Sequence, residues 1–358
     1  MGGAQGKTRR GYARPLDLTR GRVDLTHGSG GRAMAQLVEE LFARFLGNEY
    51  LGQGNDGAVL PAPMLEGRPG RLVLSTDCHV VSPLFFPGGD IGCLSVHGTL
   101  NDVAMMGATP LYLAAGFILE EGYALGDLAR IVESMANAAR AAGVPVVAGD
   151  TKVVERGKGD GVFITTTGVG VLPLGLELGG GRARPGDAVL VSGSIGDHGV
   201  AIMSKRENLT FDAPIESDTA ALHGLVAAML ATCTDLRCLR DPTRGGLAAT
   251  LNEIAAQSGV GMMLQERAIP LKPVVAAACE LLGLDPLNVA NEGKLIAICA
   301  PADAPRLLAA MRAHPLGQDA ALIGVVIADD HHFVQLTTAF GGRRIVDWLA
   351  GDQLPRIC

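Results

Sequence analysis

Gly175-Leu176-Glu177-Leu178-Gly179-Gly180-Gly181-Arg182-Ala183-Arg184-Pro185-Gly186 is the stretch on which the reading of the fold turns. Three consecutive glycines followed by a Pro-Gly pair interrupt any strand or helix that enters them, so they mark a boundary between two folding units. Before the boundary, residues 163–171, rich in Thr and Val, read as a strand. Residues 144–148 read as a buried strand that ends at Gly149-Asp150. Helices are expected over 125–142 and, in small residues, over 91–106; a strand over 72–76 runs into Asp77. Farther out, Met34, Leu37, Val38, Leu41, Phe42, Phe45 and Leu46 recur at helical spacing and stop at Gly47. After the boundary come a strand over 188–192, a glycine turn, and helices around 220–230 and 247–256. Strands near 261–265 and 295–299 and a helix over 302–313 follow. Each half runs strand, glycine turn, helix, which predicts two α+β domains of similar size. The expected division is an arm over 1–22, domains over 23–180 and 181–344, and a mobile, Gly- and Pro-containing tail over 345–358.

Composition narrows the class of protein. At 358 residues the chain is long for one hydrophobic core. With 48% apolar and 19% charged residues it suits a soluble protein. No uncharged apolar run reaches the ~18 residues of a membrane span. The basic N-terminus has no apolar block behind it, so a signal peptide is not expected. Gly6 stands where a myristoylation signal needs Ser or Thr. A net charge of −7 argues against nucleic acid as the main partner. The seven cysteines form no C-x-x-C pair and are odd in number, which predicts reduced thiols in the cytoplasm. Cys358 differs from the other six because no residue follows it in the sequence.

Two glycine motifs are decoys. Gly6-Lys7-Thr8 resembles the end of a P-loop, but Met1 occupies the place of the leading glycine and no strand precedes it. Gly28-Ser29-Gly30-Gly31-Arg32-Ala33 fits a dinucleotide fingerprint. Only Val23 to Leu25 could be its leading strand, the acid about 20 positions on falls near Glu49 in an ordinary turn, and regular βαβ alternation does not follow. A loop presenting backbone N–H groups to phosphate accounts for those glycines without a nicotinamide.

Aspartates recur in small or polar company: Asn55-Asp56-Gly57, Thr76-Asp77, Asn101-Asp102, Gly149-Asp150 and Arg240-Asp241. One such residue is ordinarily a cap or an Asx-turn. Five of them, beside Thr151, Lys152 and a glycine loop, favour a Mg-nucleotide site, since hard cations take oxygen ligands and bridge them to phosphates. Thr243 reads as the cap of a helix, and Arg244, placed before Gly245-Gly246, as a phosphate contact. Asn291-Glu292-Gly293-Lys294 reads as a polar turn and His97 as a core histidine.

Phe85-Phe86-Pro87-Gly88-Gly89, Asn101 through Ala108, Gly149-Asp150-Thr151-Lys152-Val153-Val154, Asp197-His198-Gly199, Thr243-Arg244-Gly245-Gly246, Ala290 through Leu295 and the closing Pro355-Arg356-Ile357-Cys358 together resemble the HypE family of hydrogenase maturation factors. The resemblance runs from about Leu25 to Cys358. It implies the two-domain fold shared with aminoimidazole ribonucleotide synthetase (PurM-like), with the N-terminal sheets of a homodimer closing a barrel. It implies ATP under a segment matching His27, Gly28, Ser29, Gly30 and Gly31, with Asp56, Asp77, Asn101, Asp102, Gly149, Asp150, Thr151 and Arg244 about the nucleotide. Asp56, Asp77, Asp102 and Asp241 are the implied Mg²⁺ ligands. The implied reaction is ATP-dependent dehydration of a carboxamide on Cys358 to S-cyanide, with Lys152 and Glu292 moving protons and His97 a weaker choice. The carbamoyl group is implied to come from the carbamoyltransferase HypF, and the cyanide to go to an iron scaffold of HypC and HypD. A selenophosphate-synthetase-like or aminoimidazole-synthetase-like kinase, a non-catalytic nucleotide-binding scaffold and a nicotinamide oxidoreductase stay open as alternatives.

Overall fold

A computed structural model describes residues 14–15, 31–37, 39–40, 58–60, 70–211, 213–233, 235–349, 351 and 354–358. The first described helix is the short α1 (Arg32–Leu37). Val38 and residues 41–47 of the expected helix, the loop residues His27, Gly28, Ser29 and Gly30, and Asp56 lie outside the described residues.

The first domain is built on a five-stranded sheet of β1 (Ala58–Leu60), β2 (Arg71–His79), β5 (Thr109–Glu120), β6 (Val146–Val154) and β7 (Val162–Leu172). The strand order is β1-β2-β7-β5-β6. A separate two-stranded hairpin, β3 (Phe85–Phe86) and β4 (Gly89–Asp90), leads into helix α2 (Ile91–Met105). Asp90 starts this helix because its carboxylate accepts from the N–H groups of Gly92 and Cys93, at 2.7 and 3.2 Å, two of the donors a helix start leaves unpaired. The small residues of α2 let it pack closely, with Ile91, Leu94, Val96, Leu100 and Val103 fully buried. Helix α3 (Leu125–Ala142) covers it and ends at Gly143, whose left-handed backbone returns its N–H to Ala139 and Arg140. Strand β5, α3 and β6 form a parallel crossover.

Strand β6 departs from expectation. It runs through Gly149-Asp150-Thr151-Lys152 instead of ending there, and among the described strands it is the sheet's edge, with Val147 58% and Val153 66% exposed. The physical reason is its partner: β5 continues alongside it as far as Glu120, so the ladder carries the chain past the glycine.

The second domain carries seven strands in the order β14-β13-β10-β12-β8-β11-β9. They are β8 (Ala188–Val191), β9 (Leu236–Arg240), β10 (Gly261–Gln265), β11 (Ile296–Cys299), β12 (Ala321–Ile327), β13 (Val334–Thr337) and β14 (Arg343–Val346). Strands β8 and β11 are buried at every position, as central strands covered on both faces must be. Helices α4 (Asp197–Arg206), α5 (His223–Thr232), α6 (Gly246–Ser258), α7 (Pro273–Leu282) and α8 (Ala304–Ala313) complete it. Because β14 includes Ile345 and Val346, the tail begins after Val346 and not at residue 345.

The two domains share apolar packing. Core residues of α2, α3 and β7 are continuous with Val200, Ile202, Val275 and Val289, and with Leu354 and Ile357 of the tail. Here the expected loose tail is seated: the Val80 N–H donates to the Cys358 carbonyl at 2.9 Å, and the Ser82 N–H to that of Arg356 at 3.1 Å. Leu354 and Ile357 remove apolar surface from water at this seat, which favours it.

Candidate functional site

Five segments from both domains meet where the tail ends. Strand β2 alternates, so Ser75, Asp77 and His79 point together toward α2. Asp102 of α2 accepts from the Ser75 hydroxyl at 2.6 Å, and Asp77 lies 3.3 Å from the buried imidazole of His79. The segment after β9 supplies Asp241 and Arg244, the loop before β11 supplies Glu292, and the tail supplies Cys358.

Backbone geometry fixes two of these groups. Gly245 and Gly246 both take left-handed φ, at +73° and +59°. A Cβ on Gly246 would come within 2.6 Å of the Leu287 and Val289 carbonyls. Helix α6 therefore starts tight against that segment, and its N-cap is Gly245; Thr243, the expected cap, precedes the start. Arg244 is left solvent-exposed at the cleft. Gly293 is still more constrained, since a Cβ there would reach 1.7 Å from the Asp218 carbonyl oxygen. That close approach lets Asp218 accept from the Glu292 N–H at 3.0 Å and pair with Lys294 at 3.1 Å. Asn291 locks the same loop, donating to the Pro242 carbonyl at 2.9 Å and accepting from the Gly196 N–H at 2.7 Å.

Charge is unevenly shared. The Cys358 thiol makes a hydrogen-bond contact with Glu292. Burial first, then the charges of Asp77, Asp241 and Asp218, hold the Glu292 carboxyl well above the usual carboxylate range. Burial and Glu292 likewise push the Cys358 thiol up. Burial also acts to raise Asp77, but His79 and Arg244 outweigh it and bring this carboxyl down to about 2. Arg244 is held more firmly protonated by Cys358 first, and then by Asp77, Glu292 and Asp102. One oxygen of Glu292, Oε1, is buried without a hydrogen-bond partner. The cleft thus combines a carboxyl of raised proton affinity, a permanent cation and an ionised carboxylate around one sulfur.

The structure brings together Asp77, Asp102, Asp241, Arg244, Glu292 and Cys358 from among the residues singled out in the sequence. It does not bring Lys152 to them. Lys152 lies on the edge strand β6, paired with Asp150 at 3.0 Å and 72% exposed. Three strand spacings, roughly 14 Å, separate β6 from β2. Gly149, Asp150 and Thr151 share that edge. Asn101 is 1% exposed and acts as a brace: its amide donates to the Ala220 and Glu292 carbonyls and accepts from the Leu222 N–H. His97 bonds Thr219 at 3.0 Å, and burial, aided by His223, lowers it to about 4. It is a neutral core histidine. The sequence reading missed His79, Asp218 and His198; only the Asp197-His198-Gly199 motif signalled any of them.

Magnesium suits the donors only in part. Asp77, Asp102 and Asp241 are hard oxygen ligands, yet no three His, Cys, Asp or Glu groups among the described residues already form a metal cluster.

Residues 54–172 match the family of AIR synthase related proteins in its N-terminal domain, and residues 184–337 match the C-terminal domain. A protein of Azotobacter vinelandii described as carbamoyl dehydratase HypE is 71% identical over 343 residues, spanning 96% of this chain and 99% of its own. Among solved structures, a HypE–HypF complex superposes with a TM-score of 0.81 at 49% identity, covering 87% of this chain and 99% of that one. The hydrogenase maturation protein HypE in complex with ATP gives 0.79 at 50% identity, covering 93% and 99%.

Proposed function

Because this chain belongs to the HypE family of carbamoyl dehydratases, we propose that its substrate is a carboxamide on its own Cys358 and that the cleft described above is where the dehydration occurs. The protein is an ATP-dependent enzyme of hydrogenase maturation. The observation that carries the proposal is the Cys358 thiol docked on Glu292 beside Arg244 and Asp77.

The chemistry follows from the groups present. A carbamoylated sulfur carries S–C(=O)–NH₂, and hydroxide is a poor leaving group from it. The amide oxygen attacks the γ-phosphorus of ATP, ADP departs, and one N–H proton is lost. Removal of the second N–H proton then breaks the C–O bond, releasing phosphate and leaving S–C≡N. The elements of water end in the phosphate. Glu292 is the proton acceptor: burial and the neighbouring carboxylates raise its proton affinity above that of an ordinary carboxylate, which makes it the stronger base toward a weakly acidic N–H. Arg244 stabilises charge developing on the phosphoryl oxygens. Asp77, Asp102 and Asp241 would hold Mg²⁺ together with phosphate oxygens, and the ion, when bound, supplies charge neutralisation there.

HypF is the carbamoyl donor partner, in keeping with the HypE–HypF complex of a relative. Delivery of cyanide to the HypC–HypD iron scaffold, a cytoplasmic setting and a homodimer complete the reading. The exposed apolar edge at β6 supports the homodimer. Among the described residues no helix is long and apolar enough to cross a membrane.

The test is mass analysis of the C-terminal peptide after incubation with HypF, carbamoyl phosphate and ATP. The peptide gains a carbamoyl group and then loses one water when ATP is present. A carbamoylated peptide that never loses water overturns the proposal.

A further inference from the structure

Asp197-His198-Gly199 opens α4, and the mechanism above leaves it without a role. Each of the three is fixed by specific neighbours, and two of them, His198 and Gly199, adjoin the tail. Asp197 is fixed by the Ser194 hydroxyl at 2.7 Å and by Lys272 at 2.9 Å. Gly199 leaves room for its neighbours, since a Cβ there would come within 2.5 Å of Val289 and 3.2 Å of Leu354. His198 is fully buried, with the Phe86 ring edge-on to it at 5.5 Å between centroids.

The two ring nitrogens of His198 are assigned by their partners. Nε2 lies 2.8 Å from the Ile357 carbonyl oxygen, which can only accept, so Nε2 carries the proton. Burial disfavours the imidazolium, and in the neutral ring Nδ1 is then an acceptor. Its partner at 2.7 Å is the Ser217 hydroxyl, which donates to it. The Ser217 oxygen in turn accepts from the Thr219 N–H at 3.1 Å. The residue between them, Asp218, receives the Glu292 N–H. Hydrogen bonds from the tail to Ser217 and from Asp218 to Glu292, joined by the covalent backbone of the 217–219 turn, therefore connect the residue before Cys358 to the loop that carries Glu292.

We propose that His198 is a positioning residue that clamps the docked tail through the Ile357 carbonyl and, through the 217–219 turn, aligns Glu292 with the arriving Cys358. The inference rests on the reading that Cys358 is the modified residue. Its first test does not depend on that reading. With the tail seated, the fixed tautomer directs the Ser217 hydroxyl to Nδ1; with the tail withdrawn, Nε2–H loses its acceptor and that restraint on the turn is released.

The full-length protein and its His198→Ala, His198→Gln and Ser217→Ala variants are first labelled with iodoacetamide, without ATP or HypF, and Cys358 alkylation is followed on the C-terminal peptide. His198→Ala labels about tenfold faster than the parent, as loss of one buried hydrogen bond implies. His198→Gln, whose amide donates to the same carbonyl, returns the rate toward the parent. Ser217→Ala, which keeps the ring but frees its tautomer, also labels faster and stands in should His198→Ala not fold. Carbamoylated proteins are then compared in single-turnover dehydration: His198→Ala slows that step by at least tenfold, while ATP affinity is unchanged. Parent-like labelling in the folded alanine variants overturns the clamp. Faster labelling with parent-like dehydration overturns the alignment of Glu292. A parent protein that never dehydrates Cys358 refutes the functional reading and leaves the labelling test of the clamp intact.

Discussion

Cys358 and Glu292 meet side chain to side chain, the thiol in hydrogen-bond contact with a carboxyl that is 3% exposed. Neither group titrates ordinarily there, since each burdens the other and burial penalises both charged forms. Burial and the neighbouring carboxyl both disfavour the thiolate here, so the seated sulfur is a weakened nucleophile.

Replacing Glu292 by Gln keeps the shape of the side chain and removes its basicity. Single-turnover dehydration of the carbamoylated protein falls by about 10²–10⁴, the range for loss of a positioned general base. ATP binding, measured by calorimetry, stays within a few-fold of the parent.

The raised affinity of Glu292 for protons also sets a stability profile. Its folded-state pKa lies above the unfolded value of about 4.3, so its contribution is fully present below that value. It is lost as pH rises through the folded pKa. Glu292→Gln therefore melts higher than the parent at pH 7–8, and the difference shrinks as pH falls toward 4. Melting curves across that window check it. Asp77 has the opposite sign: its contribution is present above pH ~4 and lost as pH falls through about 2.

Gly293→Ala places a methyl group where the Asp218 carbonyl already is. The loop must shift, at a cost of about 1–3 kcal/mol for overpacking. Because the Glu292 N–H bond to Asp218 goes with it, dehydration is lost even where the protein stays folded. Circular dichroism and single-turnover rates separate the two effects.

Asn101→Ala removes three hydrogen bonds, two of them buried, that tie α2 to residues 220–222 and to the Glu292 carbonyl. About 2–4 kcal/mol of stability is expected to go, at roughly 1 kcal/mol per bond. Urea titration measures it.

Val147→Asp combined with Val153→Asp charges the exposed apolar edge at β6. In sedimentation the parent runs as a dimer and the double variant as a monomer, without loss of secondary structure, because neither side chain is buried in the single chain.

Much was legible from local pattern. The helix over 125–142 is bounded as read, and the strand over 261–265 likewise, because periodicity and a terminal glycine are properties of neighbours in sequence. The edge position of β6 was not legible. Residues 144–148 look like a buried strand by composition, and only pairing with β5 alone, with no strand beyond it among the described residues, exposes β6. Lys152 was misplaced for the same reason: closeness in sequence to Asp150 does not bring it to a cleft three strands away.

The sequence by itself determined two α+β units around a glycine-rich boundary, a set of aspartates in small or polar company and the motifs, Cys358 among them, that resemble the HypE family. The tertiary structure alone decided which of those acids face one another, that Glu292 rather than Lys152 receives the cysteine, and that His198 holds the tail. The physical reason is that proton affinity and reach depend on burial and on charges brought from distant segments. Asp77, Asp218, Asp241, Arg244 and Glu292 act on one another only after β2, the 217–219 turn and the loops after β9 and before β11 have packed around the same few ångströms.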